Sequence, residues 1–450
     1  MAKRYLIETF GCQMNVHDSE RMAGLLEAAG YEAAADAAEA DVIVLNTCTV
    51  REKAEDKVFS RIGELRAAAQ VQGADPIVAV AGCLAQMEGA TIFRRSPFVD
   101  VVVGTQAEKR LPVLIGDAMR TSVRQMDINP YDDVSFPLGV ARRADPVKAY
   151  ITIIEGCNDF CAFCVVPRTR GHERMRPKAD ILAEVYEAVA GGRTEVQLLG
   201  QIVNHYQAPD DSRCDFAGLL EAVNEVPGLL RIRFASPHPR HVTPRLVEAI
   251  RDLPRVCKHL HLPIQSGSTR ILAAMRRRHT REDYLDLVAS LKVQVPGVQL
   301  STDMIVGFPG ESGEDFAETL TLVDAVRFHS MFSFKYSERP DTLAARRLPD
   351  DVPEEDKARR LASLQDRQKA VQRALHEQAV GTCVEVLVDS VSRRRDTDLS
   401  GRTSGNTVVN FPGLASQLGS LVAVTIERAG PHSLWGRAGS LTERACPPTL

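Results

Sequence analysis

The sequence lacks the features that mark membrane-spanning, exported or strongly basic proteins. None of its apolar runs approaches the roughly 20 residues that a helix needs to cross a bilayer. The start, MAKRYLIETFGC, has neither a long apolar core nor a small-residue cleavage site, so it predicts no signal peptide. A net charge of −4 gives no global sign of nucleic-acid binding. We therefore expect a cytoplasmic protein without a membrane partner, and any contact with nucleic acid must come from local patches.

A disulfide framework is not expected either, although the chain contains ten cysteines. In a large chain without an export signal, cysteines are more often reduced ligands or buried thiols. The 450 residues also exceed what one hydrophobic core usually organises, so the length predicts two to four domains. The spacing of the cysteines must decide their role.

The N-terminal part alternates apolar, β-branched runs with helix-compatible stretches. The runs cover residues 5–12, 41–48, 76–83 and 99–105. Such alternation predicts a parallel α/β sheet. The first three runs end in Cys12, Cys48 and Cys83, and the carboxyl ends of parallel strands share one edge of a sheet. We therefore predict that these three thiols meet at one site.

A second series of strands and helices predicts an incomplete barrel. Its candidate strands are residues 150–156, 195–201, 231–236, 258–265, 298–308 and 331–337. Six βα units suggest a partial (β/α)6 relative of the eightfold barrel, whose chemistry lies at the carboxyl ends of the strands. Residues 121–148 have turn chemistry and few periodic signals, which is typical of a connection between domains.

The C-terminal part predicts a long helix followed by a small β-barrel. Residues 353–380 are rich in helix formers and begin with a proline and acidic residues. After Gly381 come the short β runs CVEVLVDS, TVVNFPG and LVAVTIER, separated by glycine, serine and asparagine. The predicted fold class is therefore α/β with a small all-β domain at the end.

The motif GCNDFCAFC (156–164) places Cys157, Cys161 and Cys164 directly after the first barrel strand. A structural zinc or a ferredoxin-like cluster normally takes four protein ligands, and no fourth cysteine or histidine lies nearby before His172. A cubane held by three thiolates leaves one iron open, which can chelate S-adenosylmethionine before its reductive cleavage to a radical. A zinc site completed by a distant histidine is the alternative.

Five further residues are candidates for binding S-adenosylmethionine or substrate at the mouth of the barrel. Phe163 could shield the cluster beside the adenine, or it could pack in the core. Gln201 could bond the methionine amino group, or it could satisfy backbone groups. Gln265, Asp303 and Gly307 also fall near strand ends that face this mouth.

The N-terminal triplet again supplies three thiols, so a cluster held by it would also have an open iron. The alternative is that Cys12, Cys48 and Cys83 are buried cysteines that end core strands. An open auxiliary cluster that accompanies a radical generator could hold or donate sulfur to a carbon that has lost hydrogen. Methylation of that sulfur would then give a methylthio group.

These motifs resemble those of the radical S-adenosylmethionine methylthiotransferases over nearly the whole chain. The resemblance is carried by TFGCQMNVHDSE (9–20), NTCTVREKAEDKVFSRIG (46–63), GCNDFCAFCVVPRTRG (156–171), HLHLPIQSGS (259–268), STDMIVGFPGE (301–311) and SGRTSGNTVVNF (400–411). The ribosomal-protein branch usually has GCPKN where this chain has GCQMN, and the threonylcarbamoyl-adenosine enzymes also differ there. The sequence is thus most similar to the branch that acts on N6-dimethylallyladenosine of tRNA.

The resemblance implies three domains, two cofactors and a reaction. The domains are an N-terminal methylthiotransferase domain (3–120), a radical core (143–377) and a TRAM RNA-binding β-barrel (379–443). The cofactors are two 4Fe-4S clusters and S-adenosylmethionine. The auxiliary cluster would be bound by Cys12, Cys48 and Cys83, and the radical cluster by Cys157, Cys161 and Cys164. The implied reaction adds a methylthio group to carbon 2 of N6-dimethylallyladenosine at tRNA position 37.

The resemblance also implies partners and leaves alternatives open. The partners are the prenylated tRNA, a flavodoxin- or ferredoxin-like reductant, and sulfur and iron–sulfur carrier proteins, with the enzyme expected as a monomer. Ile202 and Met175 stand where the family usually has asparagine and serine, which puts fine substrate contacts in doubt. The alternatives are the same chemistry on a ribosomal protein or on threonylcarbamoyl-adenosine, and an RNA-binding scaffold whose cysteines hold zinc or simply pack.

Two basic patches are candidates for contact with RNA phosphates. The first follows the radical motif and contains Arg168, Arg170, Arg174 and Arg176, although an ordinary solvated loop with ion pairs would look the same. The second lies in the predicted β-barrel and contains Arg393, Arg394, Arg395 and Arg402.

Overall fold

The computed structural model describes residues 2–49, 52–129, 139–392, 395 and 397–439. The strands are β1 (Arg4–Phe10), β2 (Glu32–Ala33), β3 (Val42–Thr47), β4 (Ile77–Gly82), β5 (Val101–Val103), β6 (Gln125–Asp127), β7 (Lys148–Thr152), β8 (Ile154–Glu155), β9 (Arg174–Met175), β10 (Glu195–Leu199), β11 (Arg231–Phe234), β12 (His259–His261), β13 (Gln299–Val306), β14 (Ser330–Lys335), β15 (Cys383–Val391), β16 (Asp398–Thr403), β17 (Val408–Pro412), β18 (Leu421–Ala429) and β19 (Leu434–Ala438).

The helices alternate with these strands through the first two thirds of the chain. They are α1 (Gln13–Ala28), α2 (Glu52–Gln72), α3 (Cys83–Glu88), α4 (Thr91–Arg95), α5 (Leu111–Thr121), α6 (Val166–Thr169), α7 (Lys178–Ala190), α8 (Phe216–Asn224), α9 (Pro244–Asp252), α10 (Thr269–Ala274), α11 (Arg281–Gln294), α12 (Gly313–Val326), α13 (Leu343–Arg347) and α14 (Glu354–Gln378). Short 3-10 turns cover Glu108–Arg110, Val203–His205, Pro239–His241 and Ala415–Gln417. Within the described ranges, no helix is both long and apolar enough to cross a membrane.

The described chain divides into two compact units. The first unit, called the N-terminal unit below, comprises Met1–Ala144, Ile154–Phe160 and Cys164–Arg176. The second, called the core unit, comprises Asp145–Ile153, Cys161–Phe163 and Pro177–Leu450. The segment that carries the second cysteine triplet is therefore divided between the units.

The N-terminal unit is built on a parallel sheet of order β2-β1-β3-β4-β5-β6. Alternate residues of β3 enter different cores, since Val42 and Val44 pack on one face and Ile43 and Leu45 on the other. A sheet covered on both faces explains why the run reads as continuously apolar. The four predicted strands of this part are confirmed. Gln125–Asp127 was expected to belong to a connection, but its backbone pairs with β5 and it forms the edge strand β6.

The core unit contains the six predicted barrel strands as two three-stranded parallel sheets, β7-β10-β11 and β12-β13-β14. Ile232 of β11 also bridges to Val256, just before β12. Because consecutive strands are parallel and joined by helices, their carboxyl ends point the same way. The predicted long helix is α14, and the strands that follow it close into a five-stranded barrel of order β15-β16-β17-β19-β18. The α/β fold with a small C-terminal barrel is thus confirmed.

Candidate functional site

The first candidate site lies at the carboxyl edge of the N-terminal sheet. The registers of β1, β3 and β4 are flush there, because Phe10 pairs with Thr47 and Thr47 pairs with Gly82. A cysteine follows the end of each of these strands: Cys12 after β1, Cys48 after β3 and Cys83 after β4. Aligned strand ends therefore bring together three thiols that are far apart in sequence.

Two glycines allow the close approach of these strand ends. A Cβ atom on Gly11 would lie 2.9 Å from the Cβ atom of Cys48, and one on Gly82 would lie 2.3 Å from the side-chain oxygen of Asn46. Gly82 also has φ +87°, a conformation that side chains other than glycine rarely adopt. Gly11, before Cys12, and Gly82, before Cys83, are therefore required by space, and Gly82 by conformation as well.

The three thiols differ in exposure and in charge. Cys12 is exposed, whereas Cys48 and Cys83 are buried. A hydrogen bond from the Cys48 thiol, helped by the nearby Arg170 guanidinium, lowers the pKa of Cys12 to about 6. Burial raises the pKa of Cys83, and the Arg170 guanidinium opposes that shift. The site therefore has one thiol of lowered pKa at its open side, with the Arg170 guanidinium nearby.

Arg170 and Asp18 form a buried ion pair next to these cysteines. The Arg170 Nη2 atom lies 2.6 Å from Asp18 Oδ2, and the two side chains are 5% and 2% exposed. Burial opposes the charge on Arg170, but the Asp18 carboxylate and the neighbouring thiols hold the pKa of Arg170 above its ordinary value. Such a charge offsets thiolates at a site that would otherwise accumulate negative charge.

The buried side-chain amides of Asn15 and Asn46 fix the position of Cys12. The Asn15 side-chain oxygen accepts from the Cys12 backbone N–H and from the Cys12 thiol, both at 3.3 Å. Asn46 donates to the Asn15 carbonyl oxygen at 2.8 Å and to the Ser19 hydroxyl at 2.9 Å. This network ties α1 to β3, so the thiol stands on a rigid support.

The donor set of this site fits an iron–sulfur cluster better than a single ion. Within the described ranges, no three His, Cys, Asp or Glu side chains are close enough to share one metal ion. In a cubane each thiolate binds a different iron, so its ligands surround a larger object than one ion. Three thiols at one edge of the sheet are a donor set of the kind that such a cluster takes, and Arg170 would offset part of its negative charge.

The second candidate site is the segment that holds Cys157, Cys161 and Cys164. Two of these sulfurs accept backbone N–H groups, from Asp159 to Cys157 and from Val166 to Cys164, each at 3.5 Å. Donors to sulfur stabilise thiolates and clusters bound through them. All three cysteines are free of disulfides. The donor set again comprises three thiols, so it fits a cluster with one open iron.

Arg277 reaches the middle cysteine of this segment. Its Nη1 atom lies 3.6 Å from the Cys161 sulfur, and its Nη2 atom donates to the Pro263 carbonyl oxygen at 2.6 Å. Arg277 is buried, and its Nε atom has no hydrogen-bond partner among the described residues. Each triplet therefore has one buried arginine at a thiol, Arg170 for the first and Arg277 for the second.

Comparison with known proteins places this chain in a family. Three family models match: uncharacterized protein family UPF0004 at residues 4–104, the Radical SAM superfamily at 151–323 and the TRAM domain at 377–438. A tRNA-2-methylthio-N(6)-dimethylallyladenosine synthase from Thiobacillus denitrificans is 47% identical over 98% of this chain and 99% of its own length. One from Chromobacterium violaceum is 45% identical over 97% of this chain and 98% of its own length. The chain belongs to this synthase family.

Solved structures of more distant proteins support the fold of the synthase family member. A radical S-adenosylmethionine methyltransferase, TsrM, from Kitasatospora setae matches with a TM-score of 0.55 and 15% identity, covering 77% of each chain. A cobalamin-dependent S-adenosylmethionine radical enzyme, OxsB, matches with a TM-score of 0.53 and 10% identity, covering 80% of this chain and 56% of the other. At these identities the likeness concerns the fold alone.

The other residues predicted at the barrel mouth have different surroundings. Phe163 packs against the core cluster around Phe308, which agrees with the second of its two predicted roles, packing in the core. Gln201 is half-buried just after β10. Gln265 has φ +81° and exchanges backbone hydrogen bonds with Asp303 and Ile305. These positions fit either role, so their contact with a cofactor stays a prediction.

Asp303 and Gly307 are more constrained. The Asp303 carboxylate lies 3.4 Å from the Nε2 atom of His261 across the sheet. Gly307 donates its N–H to Glu311 at 2.6 Å, and Lys357 fills the space where a Cβ atom would stand. These contacts use the backbone donor of Gly307 and leave its carbonyl oxygen, so its contact with a cofactor stays a prediction.

The two departures from the family pattern lie in ordered elements. Ile202 is buried directly after β10. Met175 lies in β9, where its backbone pairs with Ile154. Neither residue disturbs its strand, and nothing in the structure explains why asparagine and serine are replaced.

The arginines predicted to bind RNA divide by exposure. Arg168 is exposed and Arg174 is half-buried, but Arg170 and Arg176 are buried. The prediction of RNA contact by Arg170 and Arg176 is therefore corrected, because a buried guanidinium cannot reach a phosphate of an RNA at the surface. Arg395 is exposed, and the half-buried Arg402 donates to Asn406 at 3.2 Å. Arg393 and Arg394 lie outside the described residues.

Sequence reasoning missed the polar residues that support the thiols. Asn15, Asp18 and Asn46 are buried beside the first triplet, and Arg277 beside the second. Arg277 stands in a run of basic residues, 276–278, which by itself gives no sign of burial. A signal was available in GCQMN and LNTC, since a buried amide next to a strand-end cysteine has few purely structural uses.

Glu108 gives the N-terminal unit a pH-dependent stability. It is buried, and neither carboxyl oxygen has a hydrogen-bond partner among the residues described. Burial, followed by the Asp18 carboxylate, raises the pKa of Glu108 well above its usual 4.5, while Arg21 and Arg170 oppose the shift and Glu155 adds to it. The folded chain keeps this proton at a pH where the unfolded chain has lost it.

We expect this proton to make the free energy of unfolding fall as pH rises above about 4.5, by about 1.4 kcal/mol per unit, until the folded carboxyl titrates. Glu108→Gln mimics the neutral acid, so its stability should lack this component. Urea unfolding followed by circular dichroism would show the free energies of unfolding of the two proteins diverging as the pH rises above about 4.5. Parallel pH profiles would contradict the assignment.

Proposed function

We propose that this chain converts N6-dimethylallyladenosine at tRNA position 37 to its 2-methylthio derivative, with S-adenosylmethionine as radical source and methyl donor. The observation that carries the proposal is the meeting of Cys12, Cys48 and Cys83 at one edge of the N-terminal sheet. A radical enzyme that only abstracted hydrogen would need the second triplet alone. Relatives 43–47% identical over nearly the whole chain carry the name of this reaction.

The two triplets have separate roles in this proposal. Cys157, Cys161 and Cys164 would hold the cluster that binds S-adenosylmethionine, and Cys12, Cys48 and Cys83 the auxiliary cluster. When bound, these clusters would supply the electron that cleaves S-adenosylmethionine and a site for the sulfur that is transferred. The protein contributes the guanidinium groups of Arg170, beside the first triplet, and of Arg277, at Cys161.

The remaining parts of the chain serve substrate binding and electron supply. We propose domain limits of 3–120, 143–377 and 379–443, with the last domain contributing to tRNA binding. Exposed Arg168 and Arg395 are the basic residues best placed for phosphates. The reaction needs an external reductant, for which a flavodoxin- or ferredoxin-like protein is proposed, and sulfur and iron–sulfur carriers to rebuild the auxiliary site. We also propose that the enzyme acts as a monomer, and that it acts in the cytoplasm because its tRNA substrate works in translation.

The test is anaerobic reaction of the reconstituted protein with tRNA that carries the dimethylallyl group. Nucleoside mass spectrometry should show the methylthio product after reduction in the presence of S-adenosylmethionine. The same tRNA without the dimethylallyl group is the matched control and should yield at least about tenfold less, since one missing apolar group costs about 1–3 kcal/mol of recognition. Methylthiolation of a ribosomal protein but not of the tRNA would refute the proposal.

A further inference from the structure

A row of side chains crosses all five strands of the C-terminal barrel. In the strand register, Ser390 stands opposite Ser400 and Ser400 opposite Asn410. Asn410 in turn stands opposite Trp435, and Trp435 opposite Arg428. Directly paired residues on neighbouring strands place their side chains on the same face of a sheet. The five residues therefore form one continuous band, called the barrel row below.

The barrel row faces outward. Leu399, Val409 and Leu434, each the chain neighbour of a row residue, pack in the barrel core. Successive side chains of a strand point to opposite faces, so the row residues point away from that core. The exposure of the five side chains agrees with this outward direction, because Ser390 and Arg428 are exposed and the other three are half-buried.

The row lies along a cavity of about 670 Å³. All five row residues line it, together with Arg395, Asp398 and His432. Sites for small ligands usually measure roughly 300–1,000 Å³, so this cavity has room for about one nucleotide. Its walls offer hydroxyls, an amide, two guanidinium groups and one indole.

The guanidinium of Arg428 lies over the indole ring of Trp435. The Cζ atom of Arg428 lies 4.3 Å from the centre of the Trp435 ring. Within the described part of the chain, Arg428 forms no ion pair, whereas the nearby Arg437 pairs with Glu427 at 3.2 Å. A guanidinium that lies over an aromatic ring contacts the ring with one side and leaves N–H groups for a ligand.

This combination matches an unpaired nucleotide of RNA. Bases stack on aromatic rings and on guanidinium planes, and serine and asparagine side chains bond base edges and ribose hydroxyls. The cavity has two arginines, Arg395 and Arg428, against one carboxylate, and that carboxylate, Asp398, is largely buried. The net charge therefore favours a phosphate.

We propose that the barrel row binds one unpaired nucleotide of the tRNA, its base stacked against the Arg428–Trp435 pair and its phosphate at Arg395. The inference rests on the proposed function, since it takes tRNA as the RNA. It goes further in placing a base-stacking subsite on the barrel, at residues separate from Arg402 and from both cysteine triplets.

Trp435 makes the subsite directly observable, because it is the single tryptophan of the chain. Titration with prenylated tRNA in the absence of S-adenosylmethionine should quench its fluorescence without turnover. A fully base-paired RNA duplex of similar length should leave the emission unchanged, because none of its bases is available for stacking. Equal quenching by adenosine monophosphate and by tRNA would overturn the inference in favour of a free-nucleotide site.

Binding of labelled tRNA to variants tests the roles of the two stacked residues. Trp435→Leu should weaken binding about 5- to 150-fold, the range measured for losing one base–aromatic stack. Arg428→Gln should weaken it as well and lower the salt dependence of binding by about one phosphate contact. The matched control is Arg437→Gln, which removes an exposed arginine from the same strand as Trp435 but outside the cavity, and it should bind as the unaltered protein does.

Product formation separates this inference from the function on which it rests. If Trp435→Leu and Arg428→Gln bind tRNA normally while the unaltered chain makes product, the subsite is wrong and the function stands. If the unaltered chain makes no methylthio product but tRNA still quenches Trp435, the subsite stands and the proposed reaction falls. In active protein, Arg428→Gln should raise KM for tRNA with little change in kcat.

Discussion

Cys48→Ala is expected to halve the iron content and to abolish methylthio product. The intact chain should bind about eight irons in two cubanes, and loss of one thiolate from the first triplet should leave about four. Removal of a support residue around a metal ligand typically costs 10–100-fold in affinity or activity, so removal of the ligand itself should lower product at least about 100-fold. Iron analysis after anaerobic reconstitution and nucleoside mass spectrometry would measure both effects.

The same substitution on the second triplet should separate the two roles. Cys161→Ala is also expected to retain about four irons, but it should lose cleavage of S-adenosylmethionine, which Cys48→Ala should retain. Cys214→Ala is the matched control, because Cys214 is a buried free cysteine outside both triplets. It should keep about eight irons and full activity. A Cys48→Ala protein with unchanged iron and product would refute the auxiliary site.

Arg170→Met is expected to destabilise the N-terminal unit by about 3–5 kcal/mol. The methionine has a similar volume but leaves the Asp18 carboxylate buried without its partner at 2.6 Å. Glu108 lies in the same buried group of charges, so loss of Arg170 should also deepen the penalty on its ionisation. Urea unfolding followed by circular dichroism would report this, since the fluorescence of Trp435 follows the C-terminal barrel instead.

Two further variants show whether the loss arises from the broken pair. Arg168→Met, two residues earlier and exposed, should change the free energy of unfolding by no more than about 0.5 kcal/mol. Arg170→Met combined with Asp18→Leu should recover most of the loss, because replacing both partners by apolar groups leaves no buried charge. A double variant as unstable as Arg170→Met alone would show that the pair is not the cause.

Local pattern was sufficient to predict the strands and the site that their ends create. The apolar runs before Cys12, Cys48 and Cys83 mark parallel strands, and parallel strands share an edge. The short edge strand β6 was missed because QMD carries no apolar alternation and depends on pairing with β5. Tertiary pairing of this kind leaves little trace in three residues.

Contacts between distant segments could not be predicted from local pattern. Arg170 lies in a run of basic residues that resembles a solvated loop, and only the folded chain shows that Asp18, 152 residues away, neutralises it. The barrel row likewise depends on the register of five strands, which no single run of sequence contains. The sequence shows which residues are charged or aromatic, but not which residues surround them in the folded chain.

The N-terminal unit takes in Cys164–Arg176 as well as the start of the chain, and this affects the order of events during synthesis. When α1 leaves the ribosome, its Asp18 still lacks the arginine that neutralises it. At about 5–20 residues per second, the 152 residues between them take roughly 8–30 s to make. All six strands of the first sheet are made before Arg170, so the sheet can form while Asp18 still lacks this partner. A fragment that stops before residue 170 should therefore carry the Asp18 carboxylate without the guanidinium that pairs with it in the full chain.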